Sequence, residues 1–441
     1  MMSSLSSAAP WWRPSTGRLL AIRGGTPLVG SCPISGAKNA ALPLMVSVLL
    51  TPHLVSLRSV PGNLDVAVLA SLLQRLGCEM HWSSTEVGLA VTIAADRIQP
   101  AHIDRDLVSR MRASVLLLGA LLARCGEAHL PMPGGDAIGL RGIDFHVAGL
   151  RAMGAVISLD GGTIRATAPH GLQGADILLP QPSVGATENL LLAAVLASGR
   201  TTIRNAAREP EIADLAACLT AMGAHIAGIG SHMLTIDGGH ALAGAVHTVL
   251  PDRIEFGTLA CAAAATDGEL MLPNGRVDLL GAAAPLLDAA GVEMREVDGG
   301  VVARRAAGGL RGIDVTTGPY PEFATDLQAP TMALLALATG ASAITETVFE
   351  QRFRHVDELR KMGADISVRG RTALVRGVAR LQGASVTCTD VRAAAALVIA
   401  GLNASGETTV GGLDHLDRGY DRMIEKLAAV GADIVCSDGN G

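Results

Sequence analysis

Two short segments of this 441-residue chain carry residue types that could bind and protonate an anionic substrate. In I-S-G-A-K-N-A at 34–40, Lys38 stands at the start of an apolar helical pattern. There its ammonium group adds to the helix N-terminus, a position that favours anions. In P-M-P-G-G-D-A-I-G-L-R at 131–141, Asp136 and Arg141 lie in a glycine-rich loop. A cation, a flexible backbone and an acid together predict an active site for a phosphorylated substrate.

Composition excludes several classes of partner. The net charge of -6 and the 2% aromatic content match neither the basic surface nor the stacking side chains of a nucleic-acid binder. Seven cysteines lie scattered without a C-x-x-C pair, which favours reduced thiols, a cytoplasmic location and no metal site. The apolar runs at 115–123 and 190–198 are far shorter than the ~20 residues of a membrane-spanning helix, so we expect no membrane association.

A helix-ending signature recurs six times and predicts the elements that position these residues. Each copy closes an amphipathic helix with glycine and continues at once into a strand, as in L-G-C-E-M at 76–80. The spacing of about 70 residues indicates six repeats. The glycines are Gly77, Gly154, Gly223, Gly291, Gly363 and Gly431. Each repeat reads helix, strand, loop, helix, strand, which predicts an α/β protein.

The repeats could stack as an open solenoid or gather three by three into two closed domains. Helices that are apolar on every side, such as L-L-L-A-A-V-L-A at 190–197, favour closed domains with these helices inside. Polar residues collect at the start of the first helix of each repeat and in the loop before the second. Residues 1–17, rich in Ser, Ala and Pro, are predicted to form a flexible N-terminal tail.

Ten motifs occur in the order and register of a known enzyme family. They are S-G-A-K-N-A-A-L-P, M-R-A-S, P-G-G-D-A-I-G-x-R-x-x-D-x-H, P-S-V-G-A-T-E-N, N-A-A-R-E-P-E, P-D-R-I-E-x-G-T, T-D-L-Q, E-T-V-F-E-x-R-F, T-D-V-R-A and D-R-G-Y. With this set, which runs through residues 18–435, the chain resembles the enolpyruvyl transferases. Within them it is most similar to the UDP-N-acetylglucosamine 1-carboxyvinyltransferases, which open peptidoglycan synthesis.

The resemblance implies the enolpyruvyl transferase fold, two inside-out α/β domains that each contain three βαβαββ units. This agrees with the six repeats. Domain II would cover 37–249 and carry the catalytic loop 131–141, and domain I would join 18–36 to 250–441. No metal and no organic cofactor are implied. The oligomeric state stays open, and a monomer is compatible with the resemblance.

The reaction implied is transfer of enolpyruvyl from phosphoenolpyruvate to the 3-hydroxyl of the UDP-N-acetylglucosamine sugar, with release of phosphate. The catalytic residues implied are Lys38, Asp136, Asp326 and Arg418. Phosphoenolpyruvate would be bound by Lys38, Asn39, Arg112, Arg141 and Arg418. The UDP-sugar would be bound by Asn39, Arg112, Arg141, Gly142, Ile143, Asp144, Phe145, Gln181, Ser183, Val184, Gly185, Asp326 and Val348. The cleft would be lined or braced by Glu209, Asp252, Arg352, Asp390 and Arg392.

Position 136 departs from the commonest pattern of the family, in which this loop carries a cysteine that donates a proton and reacts with fosfomycin. Asp136 occurs in some members and can donate the same proton to C3 of phosphoenolpyruvate, but it forms no thioether. To be protonated near pH 7 it needs desolvation or a neighbouring anion, which the substrate could supply. The resemblance therefore implies a transferase that resists covalent inactivation by fosfomycin.

Asp326 would accept the hydroxyl proton, although T-D before an apolar helix is also a capping pattern.

A second departure leaves the acceptor open. The family usually has Arg-Pro-x-Asp in the uracil-contacting loop, whereas this chain has Gly142 after Arg141. A paralogue that acts on another uridine nucleotide, such as UMP in nucleoside-antibiotic biosynthesis, is one alternative. Another is a noncatalytic protein that binds UDP-sugars. The histidines at 146, 355 and 415 are expected to be structural rather than catalytic.

Overall fold

The computed structural model describes residues 8–12, 17–85, 88–100 and 103–438. The chain forms two units, each with its own hydrophobic core. The first unit contains Gly36–Asp136 and Arg141–Leu250. The second contains the N-terminal strands up to Ser35, the short segment Ala137–Leu140 and the chain from Pro251 onward. The sequence prediction had kept the whole loop 131–141 with 37–249, whereas residues 137–140 group with the second unit.

Fourteen helices lie in the described residues. In chain order they are α1 Lys38–Ser47, α2 Leu64–Arg75, α3 Arg105–Arg110, α4 Leu116–Cys125, α5 Asp144–Ala152, α6 Val184–Ala194, α7 Pro210–Ala221, α8 Arg253–Ala265, α9 Ala283–Ala289, α10 Thr325–Leu335, α11 His355–Lys361, α12 Val391–Asn403, α13 Asp414–Gly419 and α14 Met423–Ala429. Short 3₁₀ turns occupy Val48–Leu50, Arg112–Val115 and Val277–Leu280. None of these helices combines the length and apolar character that a membrane crossing requires.

The strands are short. They are β1 Arg18–Arg23, β2 Val29–Ser31, β3 Val55–Val60, β4 Glu79–Thr85, β5 Gly88–Ala94, β6 Glu127–Pro131, β7 Val156–Asp160, β8 Thr163–Thr167, β9 Asp176–Leu178, β10 Gly199–Arg204, β11 His225–Ala227, β12 Met233–Gly238, β13 Ala245–Thr248, β14 Glu269–Pro273, β15 Val292–Val297, β16 Gly300–Arg305, β17 Val315–Thr316, β18 Ala341–Thr345, β19 Asp365–Arg369, β20 Thr372–Arg376, β21 Ser385–Thr387, β22 Glu407–Gly411 and β23 Asp433–Asp438.

These strands form six small sheets, three in each unit, which confirms the predicted α/β architecture of six repeats. Five sheets share one pattern, in which a short edge strand pairs in parallel with a second strand and two further antiparallel strands complete the sheet. Their orders are β13-β3-β5-β4, β9-β10-β12-β11, β2-β14-β16-β15, β17-β18-β20-β19 and β21-β22-β1-β23. The sixth sheet, β6-β8-β7, has three strands within the described residues. The six repeat glycines all have φ between +86° and +105°, and each follows a helix end as predicted.

The helices at the centre of each unit are buried on every side. All thirteen residues of α8 are buried, as are twelve of the thirteen in α12, and both pack against α10. The sheets carry an alternating pattern, with one face on this core and the other outward, as in β18 and β20. The prediction of closed domains with apolar helices inside is therefore confirmed.

Part of the predicted tail departs from expectation. Residues 1–7 and 13–16 lie outside the described residues, but 8–12 pack on the first unit. Ala8 and Ala9 are buried, and the Nε1 atom of Trp82 donates a 2.9 Å hydrogen bond to the Ala8 carbonyl. The indole rings of Trp11 and Trp82 meet edge to face at 5.5 Å. The two tryptophans supply apolar area that a Ser- and Ala-rich segment otherwise lacks, so these five residues are not a loose tail.

Asn189 joins α4 to α6 inside the first unit. Its Nδ2 atom donates to the Val115 carbonyl at 3.2 Å, and its Oδ1 atom accepts from the Gly119 amide at 2.8 Å. The side chain thus takes the place of the helical bond between these two residues. Gly119 leaves the necessary space, because a Cβ there would lie 2.3 Å from Asn189 Oδ1.

We expect Asn189→Leu to lower the free energy of unfolding by about 2–4 kcal/mol, because it leaves buried backbone groups of α4 without partners. Urea unfolding followed by circular dichroism would measure the change. Asn403→Leu is the control, since Asn403 donates only one described bond, to the Ala265 carbonyl at 2.8 Å. Its expected cost is about 1 kcal/mol. Equal costs for the two variants would contradict the bridging role of Asn189.

Candidate functional site

Lys38 is the first residue of α1, and only 9% of it is exposed. Its Nζ atom lies 3.2 Å from Oδ2 of Asp65, a buried residue in the first turn of α2. A buried charge is costly unless it is paired, so Asp65 both offsets the Lys38 charge and fixes the ammonium group at the helix start. Sequence reasoning missed Asp65, because N-L-D-V resembles an ordinary helix start. Asn63 indeed caps α2 by accepting from the Val66 amide.

Arg112 and Arg141 form a second cationic feature of the first unit. Arg112 Nη2 donates to the Gly142 carbonyl at 2.5 Å, which ties the 3₁₀ turn before α4 to the segment before α5. Burial and then the Arg141 charge lower the pKa of Arg112, Asp144 opposes both effects, and the net result is a pKa of about 10. An anion bound beside these guanidinium groups would relieve their mutual repulsion.

The glycine-rich loop begins where β6 ends. Its backbone needs two of its glycines: a Cβ on Gly134 would lie 1.6 Å from the Ser109 carbonyl oxygen, and Gly135 has φ +119°. Asp136 follows and is half-buried. Farther on, within the second unit, the Leu140 amide donates to Glu350 Oε1 at 2.6 Å and the Gln351 amide donates to the Ile138 carbonyl at 3.1 Å. These two bonds hold the part of the loop that follows Asp136.

The start of α6 holds another group of predicted residues. Ser183 caps this helix by accepting from the Ala186 amide at 3.4 Å. His146 is buried beside it, since a Cβ on Gly185 would lie 3.4 Å from His146 Cε1. Asn189 Nδ2 lies 2.9 Å from His146 Nδ1 and donates to it, because Asn189 Oδ1 already accepts from Gly119. Burial lowers the pKa of His146 to about 3, so the neutral ring supports the Gly185 backbone.

Three carboxyl groups lie near one another in the first unit. Burial raises the pKa of Glu188 well above its usual value, and Glu211 and then Glu209 add to the rise. The neutral carboxyl form of Glu188 is therefore favoured. Sequence reasoning selected only Glu209. Glu188 belongs to P-S-V-G-A-T-E-N and Glu211 to N-A-A-R-E-P-E, but a glutamate near the start of a helix carries no signal that separates it from a solvent-facing one.

Asp326 is the centre of the charged group in the second unit. Its Oδ1 accepts from Arg352 Nη2 at 2.7 Å, and its Oδ2 accepts from Arg392 Nε at 3.1 Å and Nη2 at 2.7 Å. Burial alone would raise the Asp326 pKa, but Arg392 and then Arg352 hold it well below its usual range. Asp326 does not cap α10, whose N-cap is Ala324 without a side-chain bond. The capping alternative is therefore wrong.

Three further predicted residues of the second unit, Asp252, Asp390 and Arg392, lie at the starts of neighbouring helices. Asp252 caps α8 and Asp390 caps α12, each through bonds to two backbone amides. Arg392 is 2% exposed, and its guanidinium carbon lies 5.2 Å from the centre of the Tyr420 ring. Arg418 lies in the last turn of α13 and is half-buried. The structure thus brings Asp326, Arg352 and Arg392 into direct contact and leaves Asp252 and Asp390 as helix caps.

Lys426, one of only three lysines in the chain, is part of a buried network that sequence reasoning did not find. Its Nζ atom donates to Glu255 and, at 2.7 Å, to the Ser35 hydroxyl. The Ser35 hydroxyl in turn donates to Asp421 Oδ2 at 2.9 Å. Asp421 follows the D-R-G-Y motif that contains Arg418, so the network fixes this motif to the strand segment before residue 36.

Comparison with known proteins gives one family. Residues 22–427 match the family model described as EPSP synthase (3-phosphoshikimate 1-carboxyvinyltransferase). The chain is 53% identical over 422 residues to the UDP-N-acetylglucosamine 1-carboxyvinyltransferase of Rhodospirillum centenum, with 94% of this chain and 98% of that protein covered. It is 55% identical over 413 residues to the protein of the same name from Acidiphilium cryptum, with the same coverage.

Solved structures agree with this family. The enolpyruvyl transferase NikO from Streptomyces tendae superimposes with a TM-score of 0.86 at 27% identity, covering 95% of this chain and 99% of that one. The EPSP synthase from Acinetobacter baumannii gives a TM-score of 0.72 at 20% identity, with 95% and 100% covered, which shows the shared fold.

The buried His355 makes stability depend on pH. Burial lowers its pKa to about 4, with Asp390 opposing and Arg352 adding to the effect, and neither ring nitrogen has a hydrogen-bond partner among the described residues. As pH falls below about 6.5, the unfolded chain binds a proton at His355, whereas the folded chain does not bind this proton until about pH 4. Between pH 7.5 and 5, wild type should lose about 2 kcal/mol more stability than His355→Leu. Urea unfolding at the two pH values tests this, and parallel losses would contradict it. His146 contributes equally to both proteins.

Proposed function

The chain belongs to the EPSP synthase family and, within it, to the UDP-N-acetylglucosamine 1-carboxyvinyltransferases, and from this membership we propose how its residues perform the reaction. The enzyme transfers enolpyruvyl from phosphoenolpyruvate to UDP-N-acetylglucosamine and releases phosphate, a step of peptidoglycan synthesis. Identity above 50% along 94% of the chain carries this conclusion. The residue roles below are proposals supported by the geometry of each unit.

Residues of the first unit bind and protonate phosphoenolpyruvate. Lys38, fixed by Asp65, and the pair Arg112 and Arg141 supply positive charge for the phosphate and carboxylate groups of this substrate. Asn39 follows Lys38 at the helix start. Asp136 donates a proton to C3 while the acceptor oxygen bonds to C2. The loop glycines allow its backbone to take the conformation that presents this carboxyl group.

Residues of the second unit act on the acceptor hydroxyl. Asp326 takes the hydroxyl proton as the oxygen attacks C2. Its two arginine partners make it a weak base, and they also keep it in the ionised form that can accept a proton. Arg418 adds to the charge around phosphoenolpyruvate. To restore the double bond of the product, C3 then loses a proton to the Asp136 carboxylate, which gave up its own proton in the addition step. The electrons of that C–H bond form the double bond, and phosphate leaves with the electron pair of the C2–O bond.

The UDP-sugar is assigned to the start of α6 and to the segment 141–145. Ser183, Val184 and Gly185 form the capped start of α6, which His146 supports from beneath. In the segment 141–145, the local structure favours glycine at position 142, because a Cβ on Gly142 would lie 2.5 Å from Asp144 Oδ1. The Gly142 backbone thus accommodates the Asp144 carboxylate, where a proline would require that side chain to move.

We place the reaction in the cytoplasm. All seven cysteines are free thiols and five of them are buried, as expected in a reducing compartment. Another uridine nucleotide stays a second candidate acceptor, because Gly142 changes the loop assigned to the uracil.

Purified protein should release phosphate from phosphoenolpyruvate when UDP-N-acetylglucosamine is present, and Asp136→Asn should lower kcat at least ~1,000-fold because the amide cannot donate the C3 proton as an acid. A coupled phosphate assay measures both. UMP, shikimate 3-phosphate and no acceptor are the controls. Release with UMP alone would move the acceptor assignment to another nucleotide, and no release with any acceptor would overturn the proposed enzyme function.

Fosfomycin should leave wild type active and without a covalent adduct, because the Asp136 carboxylate forms no thioether. Asp136→Cys should gain one adduct in intact-protein mass spectrometry, together with time-dependent loss of whatever activity it retains. Wild type is the matched control for adducts on other thiols, since it holds the same seven cysteines. A fosfomycin adduct on wild type at residue 136 would contradict the proposed resistance.

A further inference from the structure

Glu346 is a buried carboxylate that accepts four hydrogen bonds, and no role has been given to it above. It follows β18 and is 1% exposed. Its Oε1 atom accepts from the Thr317 hydroxyl at 2.9 Å, the Val348 amide at 2.8 Å and the Phe349 amide at 3.0 Å. Its Oε2 atom accepts from the Thr325 hydroxyl at 2.7 Å.

The direction of these bonds is set by the neighbouring donors. The Thr347 amide donates to the Thr317 hydroxyl oxygen at 2.9 Å, and Arg352 Nη1 donates to the Thr325 hydroxyl oxygen at 2.8 Å. Each hydroxyl has a single proton, which therefore points to Glu346. All four partners are donors, an arrangement that suits an ionised carboxylate, which only accepts.

Two arms lead away from this carboxylate. The loop arm is the pair of amides of Val348 and Phe349, and Val348 is assigned to the UDP-sugar. The base arm runs from Glu346 through the Thr325 hydroxyl to Arg352, whose Nη2 donates to Asp326. The arms also meet at a second point, since the Arg352 guanidinium carbon lies 5.3 Å from the centre of the Phe349 ring.

We propose that Glu346 is a positioning residue that aligns the acceptor-binding loop and the Asp326–Arg352 pair through one carboxylate. The proposal rests on the functions given above to Val348 and Asp326. Its loop arm controls how tightly the acceptor is held, and its base arm controls proton removal from the acceptor hydroxyl. Neither Glu346 nor the two threonines touches substrate in this scheme. They act through the residues they hold.

Separating the two arms tests the proposal. Thr325→Val removes the hydroxyl of the base arm at nearly constant volume, so kcat should fall about 10- to 100-fold while KM for UDP-N-acetylglucosamine stays within about 3-fold. Thr317→Val removes the hydroxyl that donates to Oε1, the oxygen that also accepts from the two amides of the loop arm. There KM for the acceptor should rise about 10-fold with kcat within about 3-fold. Glu346→Gln should change both constants.

Controls separate positioning from folding. Thr325→Ser keeps the hydroxyl and should recover kcat to within about 3-fold of wild type, even if Thr325→Val folds poorly. Glu358→Gln is the matched carboxylate control. Glu358 also accepts from a backbone amide, that of Thr387 at 2.9 Å, and from a side-chain donor, Lys361. Its kcat and KM should stay within about 2-fold of wild type. Thermal unfolding of every variant would accompany the kinetics.

Two results would overturn the proposal and are distinct from failure of the proposed function. If wild type turns over UDP-N-acetylglucosamine but the two valine variants change kcat and KM in the same proportion, or not at all, Glu346 does not connect separate arms. A Thr325→Ser variant as impaired as Thr325→Val would also show that the Thr325 hydroxyl does not connect Glu346 to Arg352. If wild type itself releases no phosphate with this acceptor, the proposed function fails and the positioning role fails with it.

Discussion

The structure depends on one constraint, the complete burial of the central helices in each unit. Helices α8 and α12 expose almost none of their residues, so a polar side chain along their length would lie in an apolar core. Charged chemistry is therefore concentrated in the first turns of these helices, and a polar residue deeper in a helix, such as Asn189, is satisfied within the core. Lys38 at the start of α1, Asp326 in the first turn of α10 and Arg392 near the start of α12 follow this rule. The helix N-termini also favour the anions that these residues are proposed to bind.

Burial at the helix starts makes charge pairing compulsory. Lys38 has Asp65, Lys426 has Glu255, and Asp326 shares two arginines. The last group extends further, because the Thr325 hydroxyl connects Arg352 to the Glu346 carboxylate. Lys38 and Asp326 lie where substrates are proposed to bind, whereas the Lys426 group joins Ser35 to Glu255 and Asp421. A buried ion pair is therefore not by itself the sign of a binding site.

The features that could be predicted from the sequence are those carried by its periodicity and its motifs. The glycine that ends the second helix of each repeat has a fixed backbone requirement, and all six examples occupy the left-handed region. The motifs located Asp326, Arg352 and Arg392, which the fold brings into contact. Partners set by tertiary contact escaped prediction. Asp65 reads as a helix-start acid, and nothing local to Glu346 shows that four donors converge on its carboxylate. The packing of residues 8–12 depends on Trp82, about seventy residues away in the sequence, and local composition could not reveal it.

The helix caps of the second unit differ between repeats, and the difference lies at the proposed catalytic residue Asp326. In the second unit α8 and α12 are capped by the side chains of Asp252 and Asp390, whereas α10 begins at Ala324 without a side-chain cap. A missing cap typically costs about 1 kcal/mol. The acid of this repeat stands two residues later, as Asp326, and its carboxylate is turned to Arg352 and Arg392 instead of the backbone. Thr325, which could have capped the helix, binds Glu346. One repeat has therefore given up local helix stability, and the polar atoms released are those proposed to hold and deprotonate the acceptor.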